Sequence, residues 1–228
     1  MPTATDVPFF GPSWVRSEGR ARPPLTDSPR AAAPVSISLA GAGAMARKAD
    51  SGAGILRVLM GYHAIPRASS ELATMTAFLQ WQRDTLAWKC ASLSAAQLRL
   101  RSAPPSSLSL LGLVRHMSDV ERGWFRTTLA GEEVPALYSS ETDPDGDFDN
   151  VDIADVAQAL ATWRDECRRA DEIVSARELD SSGPHLTGGP VSMRWILFHM
   201  IEEYSRHNGH ADLLRERIDG MTGYSSGD

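Results

Sequence analysis

From residue 70 onward, apolar side chains recur at intervals of three and four in four separate segments, and that period admits little except a bundle of amphipathic helices. The first stripe runs through Leu72, Met75, Leu79, Gln82, Leu86, Cys90 and Leu93. Ser94 and Gln97 then form a capping-box signature for a short helical turn. After Pro104 and Pro105, Ser106 or Ser107 is expected to cap a second helix with the stripe Leu113, His116, Val120 and Trp124, stopping near Gly131. A third stripe begins near Asp152 and passes through Ile153, Val156, Leu160, Trp163, Cys167, Ala170 and Val174. Ser192 caps the fourth helix, which ends at Gly220. With no strand signal, the fold class is all-α, a four-helix bundle spanning residues 68–223.

Residues 1–66 differ in kind. They are rich in Pro, Gly, Ala, Ser and Arg, and the apolar patch from Ile55 to Met60 is too short and irregular to build a core, so a disordered N-terminal extension is expected. Met45, Met60 and Met75 each offer an internal start, so part of this extension reads as an over-long gene model.

Charge follows the same division, with eight Lys/Arg against four Asp/Glu in residues 1–67 and 15 against 25 in the remainder. An acidic folded part has no basic stripe to neutralise phosphates, which excludes nucleic acid as the expected partner. No apolar run approaches the about 18 residues needed to cross a bilayer, and no secretory signal pattern opens the chain. Cys90 and Cys167 sit far apart in helical patterns without CxxC spacing, so a reducing, cytoplasmic setting is expected and Cys167 reads as core packing.

The connection from 131 to 151 is long and acidic. Its run from Asp143 to Asp149 resembles a calcium loop only superficially, because glycine stands fourth rather than sixth and the twelfth position is Ala154 rather than glutamate. A solvated loop rich in Asx turns is the simpler reading, and a loop of this length also suits a crossover that covers a pocket mouth.

The chemistry concentrates on the fourth helix. Its core stripe passes through Ile196, Met200, Glu203, His207, His210, Leu214 and Ile218, so three successive layers meant for hydrocarbon carry ionisable groups. An uncompensated group there costs several kcal/mol, of the order of 2–7. Glu203 and His207 are four residues apart on one face, about 6 Å along the axis, and can converge on one cation. His116 interrupts the second stripe in the same way. Three nitrogen and oxygen donors would leave positions open for water or substrate, as in a catalytic metal site. On the residues alone two readings stand: His116, Glu203 and His207 hold a divalent metal, or the polar layers fix helix register. His199 offers a rival partner for Glu203, but eight residues separate it from His207, about 80° and about 12 Å on a helix, so one ion cannot easily take both. His210 lies one turn beyond His207 and reads as an outer or substrate-facing group. Tyr204, at the stripe edge, reads as pocket wall, and Trp124 as core packing before pocket wall. Asp119 either orients His116 or faces water. Glu202 and Arg206 form an ordinary exposed pair.

Three stretches, SSLSLLGLVRHMSDVERGWF (106–125), DPDGDFDNVDIADV (143–156) and RWILFHMIEEYSRHNGHADLLRERIDG (194–220), resemble the DinB-like superfamily, in the branch related to mycothiol and bacillithiol S-transferases and mycothiol-dependent maleylpyruvate isomerase. The resemblance covers about residues 70–223. It implies an up-down-down-up four-helix bundle in which His116, Glu203 and His207 bind a divalent metal, zinc first, with nickel, manganese and iron as alternatives. Many superfamily members carry histidine where Glu203 stands, while the isomerase-like branch carries glutamate, which leaves the choice of metal open. The resemblance further implies a metal-dependent thiol S-transferase that joins mycothiol, or a similar low-molecular-weight thiol, to a small-molecule electrophile. Tyr204 and His210 would then lie beside the thiol cosubstrate, and a homodimer is compatible with such a bundle. The alternative on the same scaffold is a non-catalytic stress protein that binds a metal or a thiol adduct.

Overall fold

The computed structural model describes residues 65–183 and 189–223. The expected extension, residues 1–66, therefore falls outside the described residues except for its last two. Four long helices make the bundle. Helix α1 (Glu71–Cys90) is capped by Ser70, whose hydroxyl accepts from the Ala73 amide, and a short α2 (Ala95–Arg99) opens on the Ser94–Gln97 capping box. Helix α3 (Leu110–Glu121) continues into a π-helical segment, Arg122–Leu129. A one-turn α4 (Gly146–Asp149) and a 3-10 turn (Asn150–Asp152) lie in the crossover before α5 (Val156–Ser175). A two-residue antiparallel pair, β1 (Ser182–Gly183) with β2 (Val191–Ser192), leads into α6 (Met193–Asp219), which Gly220 ends with φ +79°.

Contacts fix the helix directions. Glu71 meets Arg194, Gln82 meets Ser205 and Asn208, and Lys89 meets Asp212, so α1 and α6 run parallel. Along α3 the order reverses against α6: His116 lies beside His207, Glu121 accepts from Tyr204, and Trp124 packs on Trp195. Asp171, late in α5, reaches Arg83 in α1, and the Leu179 carbonyl just beyond α5 accepts from the Arg194 amide at the start of α6. The topology is therefore up-down-down-up. Two successive helices that run the same way need a return connection along the bundle, and the crossover after the π segment provides it.

Several boundaries differ from expectation. Ser109, not Ser106 or Ser107, caps α3, since its hydroxyl accepts from the Gly112 amide. Helix α5 starts at Val156 under an Asp155 cap, because the 3-10 turn ends the preceding segment and leaves Ile153 88% exposed, off the stripe it was expected to join. The paired strands, though minimal, also went unsignalled.

One buried charge cluster ties the bundle together. The Arg83 guanidinium grips both Glu121 carboxylate oxygens at 2.7 and 2.8 Å and reaches Asp171 at 2.7 Å. Tyr204 donates to Glu121 at 2.8 Å while accepting from the Trp163 indole at 2.9 Å, and the Cys167 thiol contacts Glu121 at 3.6 Å. All four long helices contribute. Burial, reinforced by the Glu121 charge, pushes the Cys167 thiol well above its ordinary pKa, which agrees with a packing role. Because truncating Glu121 strands the guanidinium of Arg83 in the core, Glu121→Ala should cost about 3–5 kcal/mol. Asp171 is 61% exposed at its side chain, so Asp171→Ala should cost less than about 1 kcal/mol. Urea unfolding of the two variants checks the ranking.

Candidate metal centre

Helix α6 carries Glu203 and His207 on the side turned to α3, and the antiparallel crossing sets His116 against them. All three are buried, at 5% exposure for His116 and 1% for each of the others. One donor atom from each lies within 4.8 Å of the other two, and His207 Nε2 is 3.4 Å from Glu203 Oε2. The three sequence-selected donors thus converge.

Their bonding is incomplete in a specific way. His116 Nε2, His207 Nε2 and Glu203 Oε2 are buried without a hydrogen-bond partner. Orphaning three such atoms would cost a few kcal/mol each, about 1–3, so the donor set fits a cation that accepts all three lone pairs. Electrostatics agree with that use. Burial, with His116 nearby, lowers the pKa of His207, so its imidazole is neutral at neutral pH and its lone pair available. For Glu203 burial acts upward, but the neighbouring His207 and His199 imidazoles outweigh it, and the carboxyl titrates below its ordinary range.

The crossover supplies a residue that the sequence reading missed. Asp147 Oδ2 lies 2.7 Å from His116 Nδ1, so His116 donates from Nδ1 and turns its Nε2 lone pair toward Glu203 and His207. Asp147 is 3% exposed, and its other oxygen accepts from the Phe148 amide. Arg115 secures this turn, donating to the Asp147 and Gly146 carbonyls at 2.9 and 2.8 Å while its guanidinium lies 4.1 Å over the Tyr138 ring. The Phe148 ring stacks on His116 at 5.2 Å and presses on Gly112, where an added Cβ would sit 2.7 Å from Phe148 Cδ1. Asp119 neither orients His116 nor faces water alone. It accepts from the backbone amides of Leu137, Tyr138 and Ser139, pinning the crossover to α3. The segment read as a solvated loop is exposed over most of its length, but it turns Gly146, Asp147 and Phe148 inward against α3.

Other expectations resolve individually. His210 is half-buried, with its Nδ1 3.4 Å from His207 Nδ1. Tyr204 is fully buried with its hydroxyl committed to Glu121 and Trp163, so it presents nothing to a cofactor. Neighbouring positions on a helix differ by about 100°, and that step turns Tyr204 into the charge cluster rather than the metal pocket. His199 is only 8% exposed; its Nε2 lies 3.6 Å from Glu203 Oε1, so Glu203 offers one oxygen to each flanking histidine. Glu202 and Arg206 form the expected exposed pair.

With this geometry in hand, comparison with known proteins gives three findings. No curated protein matches the chain. Among solved structures, a conserved protein from Enterococcus faecalis matches at 14% identity, covering 68% of this chain and 100% of its own, with a TM-score of 0.48. A family model described as mycothiol-S-transferase matches residues 74–220, from the first turn of α1 to the glycine that ends α6. The chain belongs to the mycothiol-S-transferase family, with the DinB-like helical bundle that family uses.

Proposed function

We propose that this chain is a metal-dependent thiol S-transferase, joining mycothiol or a similar low-molecular-weight thiol to a small-molecule electrophile. The observation that carries the reading is the convergence of three buried donors, each with an unpartnered lone pair, in a chain of this family. Two imidazoles and a carboxylate suit zinc first, with nickel, manganese or iron as alternatives. A divalent ion held there supplies a Lewis acid that lowers the pKa of a thiol from about 8.5 and so raises its thiolate fraction at neutral pH.

The chain's own groups set the conditions for that chemistry. Two imidazole ligands and the Glu203 carboxylate would bring one negative charge to a divalent ion, leaving the site net positive and attractive to a thiolate. Asp147 fixes the tautomer and angle of His116, and Phe148 packs over that ring, limiting water. His210 stands at the half-buried edge beside His207, where the polar part of a thiol cosubstrate would pass. In the reaction the thiol loses its proton to solvent, a carbon–sulfur bond forms from the sulfur lone pair, and the leaving group departs with its bonding pair. Among the described residues, no helix is long and apolar enough to cross a membrane, in keeping with small soluble substrates.

Protein purified without an affinity tag should hold about one divalent metal per chain by elemental analysis, and should conjugate mycothiol to an electrophile in steady state. His116→Ala and His207→Ala should each lose the metal and lower turnover on the order of 1000-fold, the scale of several kcal/mol of transition-state stabilisation, with helical circular dichroism retained. Stoichiometric metal with no turnover of any thiol would instead favour a sequestration role, and thermal stability indifferent to chelator in a metal-free sample would defeat both.

Asp147→Asn keeps an acceptor for His116 but removes the charge behind it. Its affinity for zinc, measured by competition with a chromophoric chelator, should fall about 10- to 100-fold, whereas Glu202→Gln should leave it unchanged.

A further inference from the structure

Next to His116, Glu203 and His207 stands an aromatic cluster that lies outside this set of three donors. The Trp195 indole stacks on the His199 imidazole at 4.9 Å and 18°, and Trp124 packs edge-on to His199 at 4.6 Å and tilted to Trp195 at 5.2 Å. His199 is in turn 3.6 Å from Glu203, so the rings run without interruption to a metal donor. Trp195 is nevertheless 46% exposed. A large ring held flat against a buried imidazole, yet half open to solvent, is arranged as a platform rather than as core.

The backbone has been bent to build it. Trp124 lies in the π-helical segment Arg122–Leu129, where the Ala130 amide bonds back to the Phe125 carbonyl at 3.0 Å. Within that segment Phe125 and Leu129 are fully packed at 0% and 3% exposure, while Trp124 remains half-buried and turned to α6. π segments in α-helices concentrate at functional sites, because the wide turn is unfavourable and re-aims side chains. Core packing alone is already served by Phe125 and Leu129.

We propose that Trp195, His199 and Trp124 form the specificity wall of the site, and that the electrophile it selects is flat and conjugated, lying against Trp195 with its reactive carbon directed toward Glu203. This rests on the transferase reading above. On α6, Trp195 is eight residues before Glu203, about 12 Å along the axis, with His199 midway, so a conjugated plane resting on Trp195 spans part of the interval and needs its reactive carbon on the edge turned to Glu203. Stacking on indole favours planar π systems over saturated groups of equal size, which a merely greasy surface would not.

The test separates the wall from the metal. An unreactive planar probe, nitrobenzene, is titrated calorimetrically into the full chain, together with its saturated and likewise neutral counterpart nitrocyclohexane, and 1-chloro-2,4-dinitrobenzene is used as the reactive electrophile. The expected result is probe binding that Trp195→Phe preserves and Trp195→Leu weakens about tenfold, with metal content and unfolding midpoint unchanged. KM for the chlorodinitrobenzene should rise about tenfold in Trp195→Leu while kcat stays level, since the lost contact holds ground state and transition state alike. Equal probe binding in wild type and Trp195→Leu, or equal affinity for nitrocyclohexane, would overturn the proposal. So would a wild-type dimer that Trp195→Leu converts to a monomer without any probe binding, which would make the rings an interface between copies. Probe binding by a chain that takes up no divalent metal on titration and turns over no electrophile would defeat the transferase reading and leave the wall standing.

Discussion

Helices α3 and α6 bury ionisable groups against each other in neighbouring layers, and everything distinctive about the molecule follows from how those layers are compensated. In one, Glu121 and Tyr204 are closed off by Arg83, Trp163 and Cys167, so that the carboxylate and hydroxyl all have partners. In the other, His116, Glu203 and His207 face each other with one unpartnered atom apiece. Both layers see the same low-dielectric surroundings, in which an unsatisfied group is most costly. The chain therefore has the means to close a polar layer by itself and does so where only architecture is at stake. The second layer, left incomplete by the chain's own groups, is the one whose donors fit a cation.

The down-down course of α3 and α5 imposes a second constraint. A return connection must run the length of the bundle, and such a connection ordinarily carries unsatisfied backbone groups to the surface. Here Asp119 takes up three of its amides and Arg115 two of its carbonyls, so the crossover lies against α3 instead of looping away. That contact is what places Asp147 behind His116. A topological necessity thus becomes the support of His116, a candidate metal ligand, and the glycine at 112 permits the approach by leaving room for Phe148.

How much of this the amino-acid order discloses depends on the range of the interaction. Helical periodicity is local, and it located the four long helices, the Ser94, Ser192 and Gly220 caps, and the three side chains that converge, because an ionisable side chain in an apolar stripe is conspicuous within a few turns. Asp147 and His116 are 31 positions apart, and nothing in an acidic, turn-rich stretch distinguishes the one carboxylate that points inward from its solvated neighbours. Tyr204 failed for a different reason. Its place at the stripe edge was correct, but which side of the edge faces the metal depends on how α1, α3 and α5 are arranged around α6, a property of the assembled cross-section. The Ile153 error belongs with the first kind, since a 3-10 turn can carry a residue in phase with a stripe it never joins.

The π segment shows why even a correct stripe can hide its purpose. An unbroken α-helix through Trp124 would present one face to the rest of the bundle, and periodicity accordingly assigns Trp124 to the core. A wider turn divides that face in two. Phe125 and Leu129 take over the packing, and Trp124 is released toward His199 and Trp195, where three rings meet beside Glu203. Because π hydrogen bonding is intrinsically poorer than α, the segment persists only if tertiary contacts repay it, and stacking among these rings is the contact available to do so. The same local distortion that completes the core therefore also creates the partly open aromatic surface adjoining the donors, which is why packing and specificity cannot be assigned to separate residues of α3 by sequence period alone.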